Sequence, residues 1–466
     1  MYPHCSRSQA FVLMICQIID RYLIYHLCQS SSKELSSDRL LIISRRTTCL
    51  PQCNLLIGVI TQRRLLFSVM NDLLLASDDG NGTLLTLLGF SAAFDTIDHG
   101  ILFERLETPF GFAYGSLEWL KSYMTERSQL VRVPGAESSP VILEYGVPQG
   151  SVLGPLIFIL YSSPLNEIIS RFGIKSHFFS DDTQLYMSFP ITTDGKEQRI
   201  VSETTSDCIA ELKHWTDRNK MKFNVGKTDT ILVYSGSSRI QPKDVSIEVG
   251  EENIKPSLSV RNLGFTLDSN LTLENHIKGI CKRAHFYIQR ISRIRRYLDQ
   301  ESTTRLMSAF VLSLLDNGNS ILFGLPDKLL KRLQSIEHAA ARVVSGRRKF
   351  DHISDVLRSL HWLPIRFRIR FKIATLVFRC VSGDAPSYLR ELVKPYQPTR
   401  DLRSGDNSLD LVVPWARKKK CGERTFSRAA PLIWNELPLS IRSSTSLLSF
   451  RARLKTHLFN KAFNSR

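Results

Sequence analysis

The sequence predicts an α+β fold, with an antiparallel sheet and its helices in the first part and a helical second part. Three observations lead there. Phe178-Phe-Ser-Asp-Asp-Thr-Gln-Leu-Tyr186 sets a turn-forming Ser-Asp-Asp-Thr between two runs rich in aromatic and aliphatic residues, the pattern of a hairpin. Leu84 to Phe90 is a largely apolar run, interrupted by Thr86 and Gly89, that suits a buried strand. His276 to Leu298 carries Ile277, Ile280, Ala284, Ile288, Ile291, Ile294 and Leu298 at three- and four-residue spacing, which reads as an amphipathic helix. A chain of 466 residues has room for two cores, and no internal repeat is evident.

The hairpin would present Asp181 and Asp182 at its tip. Two adjacent carboxylates repel unless a cation sits between them, and oxygen-only ligands suit Mg²⁺ or Mn²⁺. Taken alone, the pair reads more readily as a solvated turn. The flanking motifs weigh against that. Tyr145-Gly-Val-Pro-Gln-Gly-Ser-Val-Leu-Gly-Pro155 precedes an apolar run from Leu156 to Tyr161. Its glycines allow close backbone approach, Pro148 stiffens the loop, and Gln149 and Ser151 offer hydrogen bonds to something docked there. Upstream stands Ser91-Ala-Ala-Phe-Asp-Thr-Ile-Asp-His99; downstream, Val225-Gly-Lys-Thr-Asp229 leads into the strand-like Thr230 to Tyr234.

This order of motifs resembles the palm of a reverse transcriptase from a non-LTR (LINE-type) retrotransposon. Ser91 to His99 resembles motif A, Gly146 to Pro155 motif B, Phe179 to Asp182 the Tyr-Ala-Asp-Asp box of motif C, and Lys227 with Thr228 motif D. Val260-Arg-Asn-Leu-Gly-Phe-Thr-Leu-Asp268 is similar to the segment that follows, and Ser359 to Ile365, Ala385 to Leu389 and Ala430 to Pro438 look like recurring C-terminal phrases of the family. The resemblance implies a right-hand polymerase: a palm over 68–265, a helical thumb or connection over 266–400 and a basic C-terminal extension over 401–466. It implies an RNA-directed DNA polymerase that takes deoxynucleotides, an RNA template and a DNA primer, with Mg²⁺ or Mn²⁺. Asp181 and Asp182 would be catalytic and would hold metal, Phe94 would crowd a ribose 2′-hydroxyl, and Gln149 and Gly150 would lie beside nucleotide and template. Lys227 would sit near the phosphates, as a general acid or simply as a counter-charge.

One departure is central. The family's motif A opens with an aspartate five residues before its aromatic residue, and here that position is Gly89. Asp95 lies six residues along in a different environment and does not replace it. Losing one bridging carboxylate of a two-metal site reduces rate by on the order of 10³-fold or more, which argues against efficient polymerisation. The change needs a single base substitution, as expected of a degenerate copy.

Residues 1 to 67 show no family phrase in their own frame, and they are expected to be a poorly ordered remnant of the fingers. In one displaced frame, the residues from Val12 to Phe67 permit codons that spell phrases resembling the family's fingers segment, in the right order. The cysteines at 49 and 53 have no second pair at metal-binding spacing. The apolar run from Phe11 to Ile19 lacks a small-residue cleavage site and is too short to span a membrane.

The chain carries 62 Lys and Arg against 44 Asp and Glu, a net charge of +18, which attracts polyanions. Lys278, Lys282, Arg283, Arg290, Arg293, Arg295 and Arg296 share the 276–298 segment, and the resemblance places that helix in the thumb, on the primer–template duplex. A solvated charged face is the plain alternative. Arg417 to Lys420 reads either as a nuclear-localisation run or as a solvated loop. Nine cysteines without a regular framework point to a nucleus or cytoplasm rather than to secretion. Leu447 to Phe463 reads as a final helix. No membrane is expected, and the sequence does not allow a protein partner to be inferred. The alternative to an impaired enzyme is a non-catalytic, nucleic-acid-binding retrotransposon remnant.

Overall fold

The computed structural model of the protein describes residues 53–148, 151, 153–236, 245–397 and 409–464, with side chains from residue 66 onward. It opens on a long helix, α1 (Cys53–Asp79). Leu66, Phe67, Val69, Met70, Leu73 and Leu74 recur at helical spacing and are all buried. The boundary expected at residue 67 falls inside this helix, which begins at Cys53; residues 1–52 lie outside the described ones.

Four strands follow: β1 (Asn81–Leu88), β2 (Lys175–Phe179), β3 (Asp182–Pro190) and β4 (Asp229–Val233). They form one sheet in the order β4-β1-β3-β2 with every neighbour antiparallel. The expected strand at 84–90 is β1, broken at Gly89 before a two-residue strand, Phe90–Ser91, that pairs with Lys222–Phe223. The expected hairpin is β2–β3.

Side chains alternate across a strand, so the sheet separates two cores. Leu84, Leu88, Leu185, Phe189 and Leu232 face one, with α2 (His99–Glu107), α3 (Tyr114–Met124), α4 (Gly154–Ser162), α5 (Pro164–Arg171) and α6 (Lys196–Arg218). Leu85, Tyr186, Ile231 and Val233 face the other, which takes in α1 and the helical remainder: α7 (Glu274–Ile294), α8 (Asp327–Ser345), α9 (Ile365–Val381), α10 (Phe426–Asn435) and α11 (Leu447–Phe463). The sheet and the C-terminal helices therefore share a core across residue 265.

Helix α7 buries Ile277, Ile280, Ala284, Ile288 and Ile291 as expected. Ile294, the last residue of α7, is exposed instead; it lies beyond the edge of the stripe, about 40° around the helix from Ile280 and about 80° from Ala284. Arg295 leaves the basic face as well. Its guanidinium donates to the carbonyls of Val343, Val344 and Leu298 and so caps the end of α8. Between α8 and α9, the fully buried Glu337 accepts from Arg368 Nε at 2.9 Å and from Gln334 Nε2 at 2.7 Å, and Arg368 also reaches Asp316 at 2.8 Å.

The C-terminal part closes back on α1. Phe426 meets Phe67 edge-on at 4.7 Å, and Ser427 N donates to Asn71 Oδ1 at 3.3 Å. The Asp78 carboxylate accepts from the backbone amides of Arg417 (2.9 Å) and Lys418 (2.6 Å), while Lys418 Nζ donates to Ser77 O at 2.9 Å. The basic run at 417–420 is anchored by its backbone, with Lys419 and Lys420 exposed.

Candidate functional site

The site is built at one end of the sheet by its register. Leu88 lies opposite Thr183 of β3, and Leu87 opposite Asp229 of β4. Continuing both ladders sets Gly89 in a row between Asp182 and Lys227. Contacts bear this out on the lysine side. Gly89 O accepts from Asn224 N at 2.9 Å, and a Cβ added at Gly89 would stand 3.1 Å from Lys227 Cβ.

Phe179 pairs with Asp182, which leaves Ser180 and Asp181 as the two turn residues. Ser180 takes a φ of 56°, the left-handed region usual at the first position of such tight turns, where glycine is favoured. Asp181 and Asp182 therefore sit together at the tip. The Asp182 carboxyl keeps its proton to higher pH than usual, chiefly because part of its hydration is lost and next because Asp181 repels its charge; the Lys227 ammonium acts in the opposite direction.

Phe90 stacks on Phe223 with ring centroids 5.0 Å apart, and Phe94 lies against Phe158 at 5.5 Å. The loop before α4 docks on the Phe94 turn through Val147 N to Phe94 O and Gly146 N to Ile97 O, both 2.8 Å. Gly146 has a φ of 81°, and a Cβ there would be 3.0 Å from the Asp95 backbone, so only glycine fits. Ser151 Oγ accepts from Gly154 N at 3.0 Å and steadies the start of α4. Gln149 and Gly150 lie outside the described residues. Lys278, Lys282, Arg283, Arg290 and Arg293 are all exposed on α7.

Behind the hairpin is a polar cluster that sequence reading missed. Asp72 of α1 accepts from Lys175 Nζ at 2.8 Å and from Tyr186 Oη at 2.9 Å, and His177 Nε2 stands 3.2 Å from that phenol. The single phenolic proton goes to Asp72, so His177 donates. Burial holds His177 neutral, with a pKa of about 4, and with Asp72 pushes the Tyr186 phenol upward. Lys175 and Tyr186 alternate along strands as ordinary sheet residues do; only the packing of α1 reveals their partner.

The donor set does not fit two ions bridged by three carboxylates. Asp181 and Asp182 supply two, Gly89 has no side-chain donor, and its carbonyl is engaged by Asn224. Among the described residues no group of three or more His, Cys, Asp or Glu is placed to hold a metal ion.

An antiparallel sheet with an Asp-Asp hairpin beside a lysine, set among helices, is the arrangement of a nucleic-acid polymerase. Residues 36–267 match the family described as reverse transcriptase (RNA-dependent DNA polymerase). The chain carries a reverse transcriptase domain of the non-LTR, LINE-type class. It is 28% identical over 240 residues to "Probable RNA-directed DNA polymerase from transposon BS" of Drosophila melanogaster, covering 50% of this chain and 25% of that protein. It is 27% identical to its counterpart from transposon X-element (60% and 30%) and 23% identical to that from mobile element jockey (63% and 32%), both from the same fly. The chain thus spans about a quarter to a third of the length of these relatives. The family match begins at residue 36, inside the segment read as frame-displaced. A telomerase from Candida albicans with a fragment of telomeric RNA aligns over 60% of this chain and 46% of that one, at TM-score 0.30 and 12% identity, a likeness too loose to carry an argument. Among the described residues no helix is long and apolar enough to cross a membrane.

Proposed function

We propose that this chain descends from an RNA-directed DNA polymerase and retains the frame of its catalytic site without the full ligand set. In this reading 68–265 is the palm, 266–400 the thumb or connection, and 401–466 an extension. The observation that carries it is the row Lys227–Gly89–Asp182 at the end of the sheet, with Asp181 beside it. Phe94, held by Phe158 and by the Gly146 loop, would stand against the nucleotide sugar, and Lys227 would meet phosphates. The family uses Mg²⁺ or Mn²⁺; with two carboxylates in place of three, no catalytic step through the ions is assigned to this chain.

Primer extension on an RNA template tests the reading. The natural chain is expected to be slower, by on the order of 10³-fold, than a version with Gly89→Asp and an in-frame fingers segment. Equal rates would overturn it. The frame assignment has its own test in the nucleotide sequence of the locus, where codons unable to spell fingers phrases in the displaced frame would remove it.

A second reading, a binding protein without chemistry, is favoured by the exposed cations of α7. Salt-dependent binding of a primer–template duplex in a chain that extends no primer would support it; absence of such binding would remove it. Residence in nucleus or cytoplasm belongs to the same proposal, and imaging of a tagged chain tests it.

A further inference from the structure

The solvent side of α7 carries more than charge. Arg283, Phe286, Arg290, Arg293 and Tyr297 follow one another at spacings of three, four, three and four residues, the repeat that keeps side chains on one side of a helix. Phe286 is 51% exposed and Tyr297 73%. The Arg290 guanidinium lies 5.2 Å from the centre of the Phe286 ring, and that of Arg296 lies 4.7 Å from the centre of the Tyr297 ring. The aromatic surface continues sideways, from Phe286 edge-on to Tyr287 at 5.5 Å and from Tyr287 stacked on Phe310 at 5.3 Å, with Phe310 also 45% exposed.

Nearby carboxylates are engaged elsewhere. Glu274 faces Arg332 at 3.3 Å, Glu301 is bonded to Arg305, and Asp299 caps the next helix through Ser302 N. Among the described residues no ion pair involves Arg283, Arg290 or Arg293. The surface is therefore complementary to a polyanion. A duplex binder needs only the cations, because the bases of a duplex are already stacked on one another and offer an aromatic ring no face. Cations interleaved with open rings suit a strand whose bases are free.

We infer that this face of α7 binds single-stranded RNA, with bases on Phe286 and Tyr297 and phosphates on Arg283, Arg290 and Arg293. The inference rests on the nucleic-acid reading above and narrows it to an unpaired strand. It separates the rings, which act on unpaired bases, from the arginines, which act on any backbone.

Fluorescence anisotropy of the full chain with labelled oligo(rU) of about 20 nucleotides, oligo(dT) of that length and an RNA–DNA duplex tests it. Phe286→Ala with Tyr297→Ala is expected to weaken oligo(rU) binding by about ten-fold or more, and duplex binding by less than about two-fold, with an unchanged salt slope. Arg290→Gln with Arg293→Gln is expected to weaken both and to flatten the salt slope. Phe286→Trp keeps a ring at an exposed position and is expected to be quenched by oligo(rU) and not by duplex. Equal losses on strand and duplex, or no loss, would overturn the inference. Tighter binding of oligo(dT) than of oligo(rU) would overturn the assignment to RNA. A natural chain that binds none of the three defeats the nucleic-acid reading itself.

Discussion

The Cβ that a side chain at Gly89 would require lies 3.1 Å from Lys227 Cβ and 3.5 Å from its Cδ. The lysine stem lies across the glycine. The exposed Lys227 stem can swing its Cδ aside, and its Cβ needs a backbone shift of a few tenths of an ångström, so Gly89→Asp is expected to fold with a modest loss of stability. It should tighten Mn²⁺ binding by about ten-fold or more, read by electron paramagnetic resonance of free Mn²⁺, since oxygen-ligand sites gain affinity with each added charge. Equal affinities in the two proteins would mean that this row is no ion site.

Lys227 opposes the two influences that keep Asp182 protonated to higher pH. Lys227→Met should therefore move the Asp182 titration further upward, measured by carbon-13 chemical shift of labelled aspartate. A downward move would show that the ammonium does not reach that carboxyl.

Gly146→Ala tests the seam between the Phe94 turn and the loop before α4. A methyl there meets both the positive φ and the Asp95 backbone at 3.0 Å, whereas Gly111, with a φ of 66°, has nothing within 4 Å. Both substitutions carry the left-handed penalty, of order 1–3 kcal/mol, and only Gly146→Ala adds a collision. Urea unfolding should show the larger loss for Gly146→Ala; equal losses would mean that the seam is loose.

The pair Arg368 and Glu337 should be costly to split and cheap to replace whole. Arg368→Met leaves the Glu337 charge buried with only the Gln334 amide and takes the arginine from Asp316, a loss of about 3–5 kcal/mol, while adding Glu337→Leu should recover much of it. A double variant no more stable than the single one would assign the loss to packing around Arg368.

Two buried imidazoles make stability depend on acid. His177 and His276 both have folded pKa values of about 4, against 6.5 when free, and desolvation is the first cause in each. The unfolded chain binds the extra protons, so stability rises with pH between about 4 and 6.5 and is lost as pH falls through that window. In His276→Asn, the slope of unfolding free energy against pH should fall by up to about 1.4 kcal/mol per pH unit. An unchanged slope would show that His276 is protonated in the fold.

The features legible in the sequence were those written locally. The Asp181–Asp182 hairpin follows from turn composition between runs rich in aromatic and aliphatic residues, the buried face of α7 from its isoleucine spacing, and α11 from interleaved apolar and basic residues. What the sequence concealed is held by distant partners. Nothing near Arg295 foretells that it caps α8, and nothing near His177 announces Asp72, 105 positions upstream along the chain. The arginines and lysines of α7 are legible as a basic face, whereas the exposure of Phe286 and Tyr297 and their contacts with Arg290 and Arg296 show only in the fold.

The closure of the C-terminal part on α1 sets a schedule for synthesis. Ser427, which bonds Asn71, lies 356 residues later in the chain, and Asp78 waits almost as long for Arg417 and Lys418. At about 5–20 residues per second, α1 emerges from the ribosome tens of seconds before its partners exist. The sheet, whose Leu85, Tyr186, Ile231 and Val233 share its core, can pack on α1 in that interval, but the side that meets Phe426, Ser427 and the 417–418 backbone waits. A premature stop codon anywhere before the 420s would leave that side of α1, with Phe67, Asn71 and Asp78, uncovered for good, so a copy shortened there is expected to be a substrate for chaperones and proteases rather than a smaller version of the same fold.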